Sequence, residues 1–215
     1  HTVGVAIKIE KCIPLAAGLG GGSSNAASVL HGLNILWGTQ YSNTSLAQIG
    51  KEIGSDVPFF CHAYPIAFIR GRGEEVERIG SPRVFRGILI YPEIKVNTEK
   101  AYGWIDSRRD KESATIHKTT DELIKDYLTK TPDLWKYYNS FTSVICDKHP
   151  EISFIFNKMY ELGASYVSVT GSGSALYGLF IDERKRENAF KQFQQENYQV
   201  WKIKTLDRSP SAIVK

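Results

Sequence analysis

An α+β fold in two domains, residues 1–82 and 83–215, is what this sequence predicts, and three observations carry the prediction. A run of glycines near residue 20 leads directly into an apolar stretch with helical periodicity. From residue 83 onward, strands and helices follow one another as βαββαβ once inserted helices are set aside, which is a split βαβ unit. Between the two lies Gly80-Ser81-Pro82-Arg83, a short polar break that contains proline.

The bounds agree with this. A chain of 215 residues with 42% hydrophobic content can bury the core of one large or two small domains. Lys and Arg number 27 against 23 Asp and Glu, and their even spread gives a mild net charge of +4 rather than the basic stripe of a nucleic-acid binder. That balance suits an anionic small substrate. Cys12, Cys61 and Cys146 are odd in number, widely spaced and set among apolar residues, so they read as reduced core cysteines of a cytosolic protein. The five histidines show no metal-binding spacing with Cys or Glu. No apolar run reaches the roughly 18 residues of a membrane span, and no signal segment opens the chain.

Taken in order, Val3, Val5, Ile7 and Ile9 alternate with Gly4, Ala6, Lys8 and Glu10, the period of a strand with one buried face. A single strand cannot satisfy its own backbone, so sheet neighbours upstream of His1 are expected. The stretch from Ile13 to Asn34 then organises the first domain. Glycines at 18, 20, 21 and 22 remove the Cβ atoms that would hold a ligand off the main chain, and they permit the positive φ at which successive N–H groups converge. Ser23, Ser24 and Asn25 read as N-cap residues of a helix that carries Ala26, Ala27, Val29, Leu30, Leu33 and Leu36 and closes at Gly38. Unpaired N–H groups and the positive end of the helix dipole would lie beside the loop, an arrangement that binds phosphate. A flexible turn before a core helix would share the glycines, but a linker would not run into a capped apolar helix. A Walker-type loop is excluded because no Gly-Lys-Ser or Gly-Lys-Thr follows. A dinucleotide fingerprint fails for want of its third glycine and of an acidic residue about 20 positions on.

Ser42 and Asn43 are candidate caps of a second helix through Leu46, Ile49 and Ile53 to Gly54. Next, Ser55-Asp56-Val57-Pro58-Phe59-Phe60 sets a carboxylate before a proline suited to the first helical position, with Val57 as the cap. Spacing leaves two roles open for Asp56, a helix start held by the dipole or a carboxylate facing a ligand. Residues 67–70 and 75–79 read as a hairpin around Gly71-Arg72-Gly73, with Arg70 and Arg72 as solvated hairpin charges more often than as phosphate contacts.

In the second region, residues 88–91 form a buried strand and Thr98 starts a helix through Ala101, Tyr102 and Ile105. A polar loop is expected over 108–119, helical pieces over 120–130 and 132–146, and a strong helix over 150–162 stopped by Gly163. Strands over 166–169 and 175–180 are joined by Thr170-Gly171-Ser172-Gly173-Ser174, and a polar helix over 183–197 precedes a last strand over 200–203. The order is that of a ferredoxin-like domain. The joining loop could turn N–H groups toward a ligand or serve as a plain hairpin turn.

With these motifs in place, the chain resembles the galactokinase, homoserine kinase, mevalonate kinase and phosphomevalonate kinase superfamily, the GHMP kinases. Their ATP loop has the form Pro-x-x-x-Gly-Leu-Gly-x-Ser-Ser-x-Ala. Pro14, Gly18, Leu19, Gly20, Ser23, Ser24, Ala26 and Ala27 match it, with an extra glycine and with Asn25. The three-glycine form, followed by the stretch from Gly54 to Phe60, is most similar to the branch that phosphorylates a cytidine diphosphate-linked methylerythritol in the non-mevalonate isoprenoid pathway. The resemblance runs from about Lys8 to the end of the chain. It departs at Asn139-Ser140-Phe141, where that branch has Asn-Asp-Phe or Asn-Asp-Leu.

The resemblance implies a ribosomal-protein-S5-like kinase domain, partial here, ahead of the ferredoxin-like one, and an ATP- and Mg²⁺-dependent kinase acting on an alcohol. It implies ATP contacts from Pro14, Ala17, Gly18, Leu19, Gly20, Gly21, Gly22, Ser23, Ser24 and Asn25, with Ser24 toward the metal. Asp56 would be the catalytic residue, taking or holding the proton of the acceptor hydroxyl. Gly171, Ser172 and Gly173 would close over the phosphates, and Tyr102 would stack on the cytosine, a buried helix aromatic being its plainer alternative. The Lys and Asn that the family places near the acceptor are expected upstream of His1. The partners implied are a small-molecule substrate, with neither nucleic acid nor membrane, for a monomer or homodimer in the cytoplasm. A mevalonate or homoserine kinase, a catalytically silent nucleotide-binding module and a nucleic-acid binder are the alternatives. The three-glycine loop argues against the first and the mixed charges against the last.

Overall fold

The computed structural model describes residues 4–109 and 118–209. They group into two compact units, one of residues 4–13, 20–82 and 206–209, the other of residues 14–19 and 83–205. Most of the polar loop expected over 108–119 lies outside the described residues, as does Val3.

The first unit is three helices and a hairpin. Helices α1 (Gly21–Leu36), α2 (Asn43–Lys51) and α3 (Val57–His62) meet over Ala27, Leu46, Ala47, Val57 and Cys61, with Ala26, Leu30 and Phe60 packed against them. Gly50 lets α2 and α3 cross closely, since a Cβ there would lie 2.7 Å from Val57 Cγ1. Ser42 caps α2 as expected, its hydroxyl accepting from the Ser45 N–H at 3.1 Å. Strands β1 (Ala67–Arg70) and β2 (Glu75–Arg78) pair antiparallel with Ile69 opposite Val76, around Gly71 and Gly73 at positive φ. Arg70 Nη2 meets Glu77 Oε2 at 2.9 Å across this hairpin, the solvated charge pair that its position suggested.

Three expectations for this unit are corrected. Helix α1 begins at Gly21, so Ser23, Ser24 and Asn25 lie inside it and Gly20, at φ +62°, holds the cap position. Glycine reaches the left-handed region without strain and so starts the helix ahead of the serines. Helix α3 begins one residue early, with Asp56 rather than Val57 at the cap and Pro58 second. The opening segment forms no strand over residues 4–12, and Val5, Ile7 and Ile9 are exposed. Among the described residues nothing pairs with it, and an unpaired segment cannot satisfy a ladder.

In the second unit, β3 (Arg86–Tyr91), β4 (Tyr166–Val169), β5 (Leu176–Phe180) and β6 (Gln199–Lys204) form one antiparallel sheet in the order β4-β5-β3-β6. That is the strand order of the expected ferredoxin-like unit. Helices α4 (Thr98–Arg109), α5 (Thr120–Thr129), α6 (Ser140–Lys148), α7 (Pro150–Glu161) and α8 (Glu183–Gln195) complete it. Alternation along β3 explains why both faces of the sheet are covered. Ile88 and Ile90 enter a core with Ile145, Ile152, Ile155, Met159, Leu176 and Phe193 from helices and strands. Leu89 and Tyr91 face the other way, onto Ala17, Leu19 and Ala175. The single helix expected over 132–146 is instead a short 3-10 turn (Pro132–Leu134), an extended stretch and α6. The break falls where Asn139, in extended conformation, caps α6 by accepting from the Phe141 N–H at 3.0 Å. Among the described residues no helix is long and apolar enough to cross a membrane.

Candidate nucleotide site

The glycine loop divides between the two units after Leu19. Positive φ recurs at alternate residues, Ala16 at +54°, Gly18 at +74° and Gly20 at +62°, the kind of backbone that gathers N–H groups on one side.

In the second unit, the loop's first half lies directly on the loop that joins β4 to β5. The Ala17 carbonyl accepts from the Ala175 N–H at 3.2 Å, and the Gly18 carbonyl accepts from Thr170 Oγ1 at 2.7 Å. A Cβ on Gly18 would lie 2.1 Å from the Thr170 carbonyl oxygen, and one on Gly171 would lie 2.9 Å from the Gly18 oxygen. Only two backbones without side chains can approach this closely. With these carbonyls turned inward, the Gly18, Leu19, Gly171 and Ser172 N–H groups find no partner among the described residues. The joining loop is thus both a hairpin connection and a glycine loop held against the first one. Ser172 Oγ lies 3.0 Å from Thr98 Oγ1 at the start of α4, and the buried Ser174 hydroxyl donates to the Ile94 carbonyl. Gly173, at φ +83°, packs against Ile145 and Val169.

Tyr102 stands one turn along α4 from Thr98. It is 56% exposed and its ring makes a T-shaped contact with that of Phe141 at 5.0 Å, so the buried-aromatic alternative does not hold. Pro14 precedes the loop and is half-buried, in contrast to the nine-tenths-buried Ala17 that it leads to.

In the first unit, α1 presents its N-terminus without a cap. Gly20 has no side chain to cap with, and no acidic residue occupies the first turn. The first intrahelical bond is from Ser24 N–H to the Gly20 carbonyl at 2.9 Å, which leaves the Gly21, Gly22 and Ser23 N–H groups free for a ligand. Added to the dipole, they make an anion site at the end of a helix of 16 residues. Ser24 Oγ donates to the Gly21 carbonyl at 3.1 Å, so its lone pairs remain available to a cation. A Cβ on Gly22 would meet no protein atom, whereas one on Gly20 would lie 3.0 Å from Phe60 Cζ. Phe60 is four residues after Asp56, on the same side of α3. The Phe60 ring under Gly20 therefore ties the start of α1 to the helix that carries the carboxylate.

Asp56 is exposed, makes no helix-capping bond and forms no ion pair among the described residues, its one contact being Ser55 Oγ at 3.4 Å. Beyond it in α3, burial pushes the Cys61 thiol up and the His62 imidazole down, so at neutral pH neither is charged. Asn25 is half-buried in α1 and, with Lys11, Gly22, Ala26 and Leu30, lines a mainly apolar hollow of about 580 Å³.

Two contributors escaped the sequence reading. Lys11 Nζ donates to the Gly21 carbonyl at 3.4 Å, a position that alternation along the opening segment did not single out. Asn139 reaches the joining loop through its Nδ2, and its only signal was the departure in the residue that follows it.

The family described as GHMP kinases N terminal domain matches residues 1–64, and that described as GHMP kinases C terminal matches residues 117–199. The chain is 35% identical over 205 residues to the 4-diphosphocytidyl-2-C-methyl-D-erythritol kinase of Thermodesulfovibrio yellowstonii, covering 94% of this chain and 71% of the relative. Identity to the protein of that name from Bacillus subtilis is 37%, covering 94% and 69%. A solved 4-(cytidine 5'-diphospho)-2C-methyl-D-erythritol kinase superposes with a TM-score of 0.74 at 28% identity, covering 91% of this chain and 68% of that one.

Proposed function

This chain belongs to the GHMP kinase family, and from that premise we propose that it takes part in transferring the γ-phosphoryl group of ATP to the 2-hydroxyl of 4-diphosphocytidyl-2-C-methyl-D-erythritol. The relatives that bear that enzyme's name support the acceptor. The observation that carries the reading is the uncapped start of α1 with Phe60 beneath Gly20, because it pairs an anion site with Asp56 inside one compact unit.

Phosphoryl transfer demands alignment and charge neutralisation more than covalent chemistry. The free N–H groups of Gly21, Gly22 and Ser23 suit the triphosphate, and the smooth surface at Gly22 admits it without a side chain in the way. The Ser24 hydroxyl would offer an oxygen ligand to Mg²⁺, whose charge would offset that of the phosphates. Asp56 accepts a hydrogen bond from the acceptor hydroxyl, orients it and takes its proton as the new P–O bond forms and the bond from the γ-phosphorus to the β,γ-bridging oxygen breaks to release ADP. In the second unit, the Gly171 and Ser172 N–H groups would be donors suited to a phosphate. Tyr102 would offer its exposed ring to the cytosine. Three free cysteines, with no disulfide among the described residues, suit a cytoplasmic protein.

The test is ADP release by the full-length protein with Mg²⁺-ATP and a panel of 4-diphosphocytidyl-2-C-methyl-D-erythritol, mevalonate and homoserine, with Asp56→Ala alongside. Turnover with the cytidyl substrate alone, reduced about 10²–10⁴-fold in the variant, is the expected result. ATP binding without turnover on any acceptor would overturn it.

A further inference from the structure

We propose that Asn139 is a positioning residue that sets the shape of the Thr170–Ser174 loop, acting on the phosphates through that loop rather than by touching them. The proposal rests on the kinase reading above for its effect on catalysis, and on geometry alone for its effect on the loop.

Asn139 uses both ends of its amide. Its Oδ1 accepts from the Phe141 N–H at 3.0 Å, which fixes the side chain against the first turn of α6. Its Nδ2 then donates twice, to the Val169 carbonyl at 2.8 Å and to the Gly171 carbonyl at 3.1 Å. A primary amide is the shortest side chain with an acceptor on one side and two donors on the other, and all three are in use here. The two carbonyls bracket Thr170, whose hydroxyl holds Gly18, so the amide fixes the loop at the point where the two glycine loops meet.

A neighbour on the same helix reinforces the latch. Thr142 Oγ1 accepts from the Val169 N–H at 3.3 Å and lies 3.4 Å from Ser168 Oγ. Strand β4 is an edge strand of its sheet, and side chains of α6 supply the hydrogen bonds that a further strand would otherwise give. The Gly171 carbonyl and the Ser172 N–H belong to one peptide group, so a carbonyl drawn toward Asn139 turns that N–H away, and it finds no partner among the described residues. Asn139 thereby helps to present the Ser172 N–H as the donor this loop would offer a phosphate.

Two substitutions separate the latch from the helix cap. Asn139→Ser keeps an oxygen for the Phe141 N–H but has no donor that can reach both carbonyls, and Asn139→Asp keeps the acceptor and sets a carboxylate against them. The full-length variants are followed by hydrogen exchange, thermal unfolding and ATP-dependent kinetics. With either variant the amides of residues 170–174 should exchange at least about tenfold faster, while those of α6 stay near the wild-type rate. The KM for ATP should rise about tenfold with kcat changed less than about threefold, the size expected of one lost hydrogen-bond set in the nucleotide complex. A purely structural role would lower the active fraction and hence kcat, leaving KM alone. Exchange at wild-type rates in residues 170–174 of both variants overturns the proposal. Faster exchange in a protein whose wild type turns over none of the acceptors keeps the latch and overturns the kinase reading instead.

Discussion

Gly18→Ala is the sharpest perturbation of the site, because its cost can be worked from the contacts. Gly18 sits at φ +74°, where an alanine costs roughly 1–3 kcal/mol in backbone strain. Its Cβ would stand 2.1 Å from the Thr170 carbonyl oxygen and 2.9 Å from the Gly173 nitrogen. Both are backbone atoms, so relief requires the two loops to separate by about an ångström rather than a side chain to rotate. Separation breaks the Thr170 Oγ1 to Gly18 bond at 2.7 Å and the Ala175 N–H to Ala17 bond at 3.2 Å, about 0.5–1.5 kcal/mol each. The total is on the order of 2–6 kcal/mol, at or above the upper end of the usual range for a point substitution. For a chain of this length that lowers the melting midpoint by roughly 4–24 °C. The assay is thermal unfolding followed by circular dichroism, with exchange at residues 170–175 as the local probe. A midpoint within about 3 °C of wild type, with those amides still protected, would refute the claim that backbone contact between the two loops holds the site.

Gly22→Ala tests the opposite sign: nothing lies within 4 Å of its Cβ, so the helix should gain about 0.5–1 kcal/mol, while the KM for ATP rises because the methyl group occupies the phosphate path. Calorimetry and initial rates read the two effects separately, and a stabilised variant with unchanged KM removes Gly22 from the site. Asp126 is buried against Lys118 and Lys130, whose hydrogen bonds hold its carboxyl below the ordinary 3.8. Since its folded pKa lies below the unfolded one, its stabilisation is complete above about pH 4 and is lost as pH falls through the folded value. Asp126→Asn should therefore flatten the acid limb of the stability curve measured by urea titration. Burial raises the Cys61 and Cys146 thiols, so a thiol reagent at pH 8 should label Cys12, exposed rather than in the expected core, first and Cys61 only on unfolding, as mass spectrometry of timed quenches would show.

Features set by short-range chemistry were legible in the sequence. The hairpin over 67–78 follows from alternation around two glycines, α2 from the Ser42 cap, and the ferredoxin-like order from strand and helix periods that the sheet order β4-β5-β3-β6 reproduces. What was misread depended on competition between local signals. Ser23 and Ser24 are good caps, yet Gly20 reached the cap position first because its positive φ costs nothing. The alternation from Val5 to Ile9 is genuine, but periodicity describes a face and says nothing about whether a partner strand is present to cover it.

Contacts between distant segments were not legible at all, and the site depends on them. Gly18 and Thr170 are 152 positions apart, and no pattern in either loop announces the other. Both loops carry glycines for what looked like separate reasons, ligand approach in one and a hairpin turn in the other. Their contact gives one reason for both: the Thr170 carbonyl oxygen and the Gly173 backbone occupy the space of a Gly18 Cβ, and the Gly18 carbonyl oxygen crowds that of a Gly171 Cβ. The unpaired N–H groups follow from that contact, since a carbonyl turned inward to meet the other loop turns the adjoining amide outward. Glycine at these two positions is thus required by packing between the loops, and the Gly18 and Leu19 N–H groups that find no partner among the described residues are its geometric consequence. At Gly22 a methyl group would meet no protein atom, so packing gives no reason there for the missing side chain, and the Gly22→Ala variant asks whether nucleotide binding does.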